Sequence, residues 1–232
     1  MKNVLVTRPK TQATRTLQRL AELGLQAMLL PLFEIKPVVG KFVDTDYYNG
    51  LILTSQNALS AAFDMFGNSN WTGLCYVVGH TTSVALQSEG FRVTFEAMNV
   101  NALLKHMTTQ FVSINQPVLY LRGHKITTNI VAALRAKDIV AEELVVYQAL
   151  PRFDLPSPLL AQADVVLFYS SQAACLFTQL INRGDMISLL RNIIAIAIST
   201  KVAQELQNLP FLQVLIAPEP TEEALLSLLC KK

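Results

Sequence analysis

Ten short runs rich in Val, Ile and Leu recur along this chain with amphipathic stretches between them. They are VLVTR (4–8), QAMLLPLF (26–33), LILTS (51–55), CYVVG (75–79), RVTFEA (92–97), VLYLR (118–122), VAEELVVY (140–147), DVVLFYS (164–170), IIAIAI (193–198) and QVLIA (213–217). Strand-length apolar runs separated by helix-length stretches of about 10 to 15 residues are the signature of βαβ units and a parallel sheet. Ten strands are too many for one simple dinucleotide-type unit. In the first predicted helix Ala13, Leu17, Leu20 and Leu23 recur at helical spacing, and Gly24 supplies a left-handed stop. The last starts at Pro220 and Thr221, with Glu222 and Glu223 in the first turn, where the helix dipole favours them.

The chain also resembles itself. VLVTR at 4 matches VLYLR at 118, and Ala27 and Phe33 match Ala141 and Tyr147 at the same offset. Further on, LTSQNA at 53 matches YSSQAA at 169, Thr82, Val84 and Ala85 match Thr200, Val202 and Ala203, and Ala102 to Leu104 match Ala224 to Leu226. The offset grows slowly, as two copies with small loop insertions would give. Two partitions follow: consecutive halves split near residue 115, or an insertion in which 36–149 forms one lobe and 1–35 with 150–232 forms the other. The links favour insertion, because FEIKPV (33–38) and YQALPRF (147–153) each run on from a strand into an extended, proline-containing piece. Side by side these pieces make a two-stranded ladder between two doubly wound α/β lobes, with a cleft between the lobes as the ligand site.

Composition narrows the functional classes. With 51% apolar and 16% charged residues in 232, the chain has the material for a real core. A formal charge of +2 without a basic stripe argues against a nucleic-acid partner. Cys75, Cys175 and Cys230 are odd in number and lack CxxC or Cys/His spacing, which predicts free thiols and a reducing cytoplasm. His80, His106 and His124 never fall at i, i+4, so no metal site is expected. Arg8 and Pro9 interrupt the N-terminus before a signal-peptide apolar region forms, and no apolar run approaches the about 18 residues a membrane span needs. A soluble, cytoplasmic protein is expected.

Polar residues gather where the predicted strands end: Thr7 and Arg8, Thr54 and Ser55, His80 to Thr82, Arg122 to Lys125, Ser170 and Ser171, Ser199 and Thr200. In a parallel α/β sheet this is the ligand-binding end, and the helix starts beyond it offer unpaired N–H groups that suit carboxylate or phosphate. Each Ser or Thr taken singly also reads as an N-cap contributing about 1 kcal/mol. Their placement in both copies exceeds what capping alone requires. No GxGxxG, GxxxxGK[ST] or GxSxG motif is present.

The order and spacing of VLVTRP, PLFEI, LILTSQNAL, YVVGHTTSVAL followed by EGF, VLYLRG, VVYQ, VLFYSSQAA, AISTKVAQEL and APEPTEEALLSLL resemble the uroporphyrinogen-III synthase family over nearly the whole chain. The resemblance implies the insertion partition and a monomeric, cofactor-independent carbon–oxygen lyase of heme biosynthesis. In that reaction the linear tetrapyrrole hydroxymethylbilane loses its hydroxyl, ring D is inverted through a spiro intermediate, and the macrocycle closes. Free hydroxymethylbilane closes without inversion, and substrate and product each carry eight carboxylates. By motif, Tyr147 in VVYQ is the general acid, and Thr82, Thr200, Ser55 and Ser170, with neighbouring Thr81 and Ser199, bind carboxylates. Arg8 and Arg122 fit the electrostatics but read equally as ion-pair partners. Contact with the preceding enzyme of the pathway is a further expectation. The chain departs from the family at Ala197 and Ile198, where the second tip usually has Gly-Pro, and at Tyr169–Ser171, where a TSP-like run is common. The competing reading is a non-catalytic two-lobed cytoplasmic protein that binds a small anionic metabolite.

Overall fold

A computed structural model describes residues 2–38, 43–67, 71–110 and 117–230, with the side chain of residue 110 left aside. The elements run β1 (Asn3–Val6), α1 (Lys10–Glu22), β2 (Gln26–Leu29), β3 (Phe33–Pro37), β4 (Gly50–Leu53), α2 (Leu59–Phe66), β5 (Leu74–Val78), α3 (His80–Ser88), β6 (Arg92–Ala97), α4 (Val100–Gln110), β7 (Val118–Gly123), α5 (Ile130–Arg135), β8 (Ala141–Pro151), α6 (Ser157–Ala161), β9 (Val165–Phe168), α7 (Ser171–Arg183), β10 (Ile194–Ala197), α8 (Thr200–Gln204), β11 (Gln213–Ile216) and α9 (Glu222–Ser227). The chain divides into two compact units, Met1–Glu34 with Leu150–Lys232 and Ile35–Ala149. A split near residue 115 would fall outside the described residues.

The first unit holds a parallel sheet ordered β11-β10-β9-β1-β2. Its strands are apolar on both faces because helices cover both. Leu5, Val166, Phe168 and Ala195 pack against Phe177 and Leu180 of α7, while Val4, Val6, Val165 and Ile196 pack against Leu20 of α1 and Leu225 of α9. The second unit has the sheet order β3-β8-β7-β4-β5-β6, parallel from β8 to β6. There Leu51, Leu53, Val77 and Leu119 face Ala62 and Phe66 of α2, and Ile52, Tyr76, Val118 and Tyr120 share the other core with Leu103 of α4 and Leu134 of α5. Both sheets are thus doubly wound, and such buried parallel strands read as continuous apolar runs.

The predicted strand 26–33 is two strands. Leu30 and Leu32 still donate backbone N–H bonds to Val6 and Thr7 at 2.9 and 3.1 Å, but Pro31 between them has no N–H to give, and the ladder breaks. The predicted strand 140–147 and the extended link after it are one long strand, β8. β3 and β8 are neighbours, with Val38 N–H bonded to Val146 and Arg152 N–H to Leu32, both at 2.9 Å.

Candidate active site

An open α/β sheet binds ligands beyond the strand ends at the point where strand order reverses. In the second unit the chain winds from β4 outward to β5 and β6, then returns to place β7 on the other side of β4, so the reversal lies between β4 and β7. A cavity of about 170 Å³ opens there, with Thr54, Ser55, Tyr120, Lys125, Thr127, Thr128 and Tyr147 among its lining. Six of these side chains carry hydroxyls and the seventh an ammonium. Among the described residues no carboxylate lines the cavity. The arrangement can donate hydrogen bonds to an anion and offer a phenolic proton.

Thr54 Oγ1 and the Tyr120 hydroxyl lie 2.9 Å apart. Burial pushes the Tyr120 phenol above its ordinary pKa, the Thr54 bond working the other way. Tyr147 stands at an irregularity in β8: Arg122 is opposite Val145 but Gly123 is opposite Tyr147, so Val146 is passed over. Ser55 starts a single 3₁₀ turn over Gln56–Ala58, and its hydroxyl accepts from Asn57 N–H at 3.2 Å. Sequence reading passed over Tyr120, which looks like core in VLYLR, and Thr127 and Thr128. The usable signal was a phenol two residues before a polar strand end.

The remaining candidates fall elsewhere. Ser170 caps α7 and accepts from Ala173 N–H at 3.2 Å. The sequence match of Thr82 with Thr200 does not survive as a match of position. Thr82 and Ser83 N–H both bond to Gly79 O, whereas Val202 and Ala203 N–H bond to Ser199 O. Gly79 therefore corresponds to Ser199, Thr82 to Val202, and Thr200 to His80. Thr82 is 3% exposed, Thr200 and Thr81 are open to solvent, and Ser199 makes no side-chain cap. The two tips also enter their helices differently, Gly79 at φ +91°, a glycine conformation, and Ser199 at φ −159°, which any residue adopts. The Ala197 and Ile198 departure thus accompanies a different backbone route.

Both arginines are already paired within their own units. Arg122 Nη2 donates to Glu143 at 2.7 Å, and its Nη1 donates to the carbonyls of Gly123 and His124 at 2.9 and 3.2 Å. Arg8 Nη1 meets Glu222 at 2.9 Å and Thr16 Oγ1 at 3.2 Å, Thr16 donates to the same Glu222, and the guanidinium lies 4.4 Å from the Tyr169 ring centre. Each arginine is thus an ion-pair partner within its own unit. His80 faces Glu96 at 3.2 Å on the surface. Among the described residues no group of three or more His, Cys, Asp or Glu is placed to hold a metal ion, and no helix is long and apolar enough to cross a membrane.

These features define a two-unit, doubly wound α/β protein with a hydroxyl-rich pocket at one strand-order reversal. The family model described as uroporphyrinogen-III synthase HemD matches residues 14–227. A uroporphyrinogen-III synthase of Chlorobaculum parvum is 31% identical over 165 residues, 65% of this chain and 65% of that relative's length. The crystal structure of uroporphyrinogen-III synthetase from Helicobacter pylori is similar over 99% of both chains at 23% identity, with a TM-score of 0.66. A mutant uroporphyrinogen-III synthase from Thermus thermophilus matches over 99% of this chain and 98% of its own at 12% identity, with a TM-score of 0.53. At these identities the two structures bear on the fold. The chain belongs to the uroporphyrinogen-III synthase family.

Proposed function

We propose that this chain converts hydroxymethylbilane to uroporphyrinogen III, with Tyr147 as general acid. Family membership supports the substrate, and the observation that carries the site is the phenol of Tyr147 in a pocket whose polar lining, among the described residues, is hydroxyls and a lysine. Tyr147 gives its proton to the departing hydroxyl, which leaves as water. The cation left behind is attacked by ring D at its substituted carbon, the resulting spiro centre opens, and the ring recloses inverted. A pyrrole carbon then loses a proton, which restores the phenol. The net change is loss of water with no change of oxidation level, so acid and base alone close the balance and no cofactor is required.

A placed acid contributes about 10² to 10⁴ in rate. Holding reacting groups in position contributes about 7 to 11 kcal/mol in the best intramolecular cases. Here the second effect also decides the product, because the free chain closes without inversion. Lys125 and Ser55 are proposed to hold one substrate carboxylate beside Tyr147. Thr81, Ser199 and Thr200, at least partly open to solvent at their strand ends, are proposed for others. The test is incubation with freshly made hydroxymethylbilane, oxidation, and separation of porphyrin isomers: type III in excess of the enzyme-free reaction is expected. An isomer ratio equal to that control would refute the activity and leave a protein that at most binds the tetrapyrrole.

A further inference from the structure

We propose that Gly123, with the Arg122 clamp beside it, is the positioning device for Tyr147; this rests on the acid role proposed for that tyrosine. A Cβ placed on Gly123 would come within 2.7 Å of Tyr147 Cζ, 2.8 Å of Cε2 and 2.9 Å of the hydroxyl oxygen. The phenol therefore lies directly against the glycine, and its hydroxyl occupies a place that any side chain at 123 would take. Gly123 is not among the residues with positive φ. The tight approach at this glycine is therefore that of the ring, since the three atoms nearest to an added Cβ all belong to Tyr147 and no positive φ calls for glycine.

The strand ends are built around this contact. The register shift brings Tyr147, not Val146, opposite Gly123. His124 N–H then bonds to Tyr147 O at 2.9 Å, which fixes the tyrosine's backbone. Arg122 ties down the other side: Nη1 donates to the carbonyls of Gly123 and His124 while Nη2 reaches Glu143 of β8 at 2.7 Å. The guanidinium thus staples the end of β7 to the strand that carries Tyr147. An aromatic ring covering a glycine also stabilises a sheet, so the positioning role must be separated from packing by experiment.

The atoms that would clash belong to the far end of a side chain, so Gly123→Ala displaces the ring and leaves the fold in place. A misplacement of about 1 Å at a reacting group costs about 10²-fold in rate. The experiment compares kcat and KM for type III formation by the wild type, Gly123→Ala, Tyr147→Phe and the double variant, with urea unfolding of each. The expected result is a fall of about 10²-fold in kcat for Gly123→Ala with KM little changed, and a double variant no slower than Tyr147→Phe alone. If Tyr147→Phe is impaired but Gly123→Ala keeps the wild-type rate, or the two losses multiply, the positioning role is overturned and the acid role stands. If Tyr147→Phe itself keeps the wild-type rate, both fall.

Discussion

The two units contain the same strand-order reversal, yet different groups stand at it. In the first unit the reversal lies between β1 and β9, and just beyond those strands stand Arg8 and Tyr169, joined by Thr16 and Glu222 into one ion-pair and aromatic cluster. Burial, with Glu222 close by, pushes the Tyr169 phenol well above its ordinary pKa. In the second unit the residue just after β4, where Tyr169 stands after β9, is Thr54. Its side chain bonds the Tyr120 hydroxyl and lines the cavity together with Tyr147. The same position thus carries an ion-pair and aromatic cluster in one unit and a hydroxyl-lined cavity in the other.

The largest expected effect breaks this contrast at its functional side. Tyr147→Phe is expected to lower the rate of type III formation by about 10² to 10⁴, measured by isomer separation, with little change in the urea midpoint. Tyr169→Phe, in the ion-pair and aromatic cluster of the first unit, should leave that rate nearly untouched. Next in size, Arg8→Ala strands Glu222 in a mostly buried cluster. Removing one partner of a fully buried pair costs about 3 to 5 kcal/mol. Because both groups keep some contact with water and Arg19 stands 3.8 Å from Glu222, a loss of about 2 kcal/mol is expected here by equilibrium urea unfolding. Ser170→Ala removes the cap of α7 and should cost about 1 kcal/mol in the same measurement. The smallest effect concerns the tips: Thr200→Ala, at the solvent-open first position of α8, should shift stability by no more than about 0.5 kcal/mol. A larger change would show that α8 depends on a hydroxyl that its geometry leaves free.

Much of the architecture was legible because parallel sheets buried on both faces write themselves as apolar runs, and helix starts such as Thr221 with Glu222 and Glu223 follow local rules. Less legible were features that depend on a neighbour in space. Pro31 split a strand whose apolar pattern continued unbroken on either side of it. Thr82 and Thr200 aligned as hydroxyls, but alignment by residue type cannot see which backbone carbonyl opens each helix, and there Gly79 pairs with Ser199. Arg8 and Arg122 read equally as binding groups and as ion-pair partners, because Glu222 and Glu143 lie far off in sequence. Gly123 stood in LRGHK with no local motif around it, and its meaning appears only when β8 brings Tyr147 against it.

The central claim is that the reversal of the second unit, through Tyr147, steers ring closure. Spontaneous closure yields type I, so the isomer ratio from freshly made hydroxymethylbilane reads the enzymatic rate against an internal clock. The wild type and Tyr147→Phe, run side by side at equal concentration, should give chiefly type III and chiefly type I respectively. The same ratio from both proteins would contradict the account.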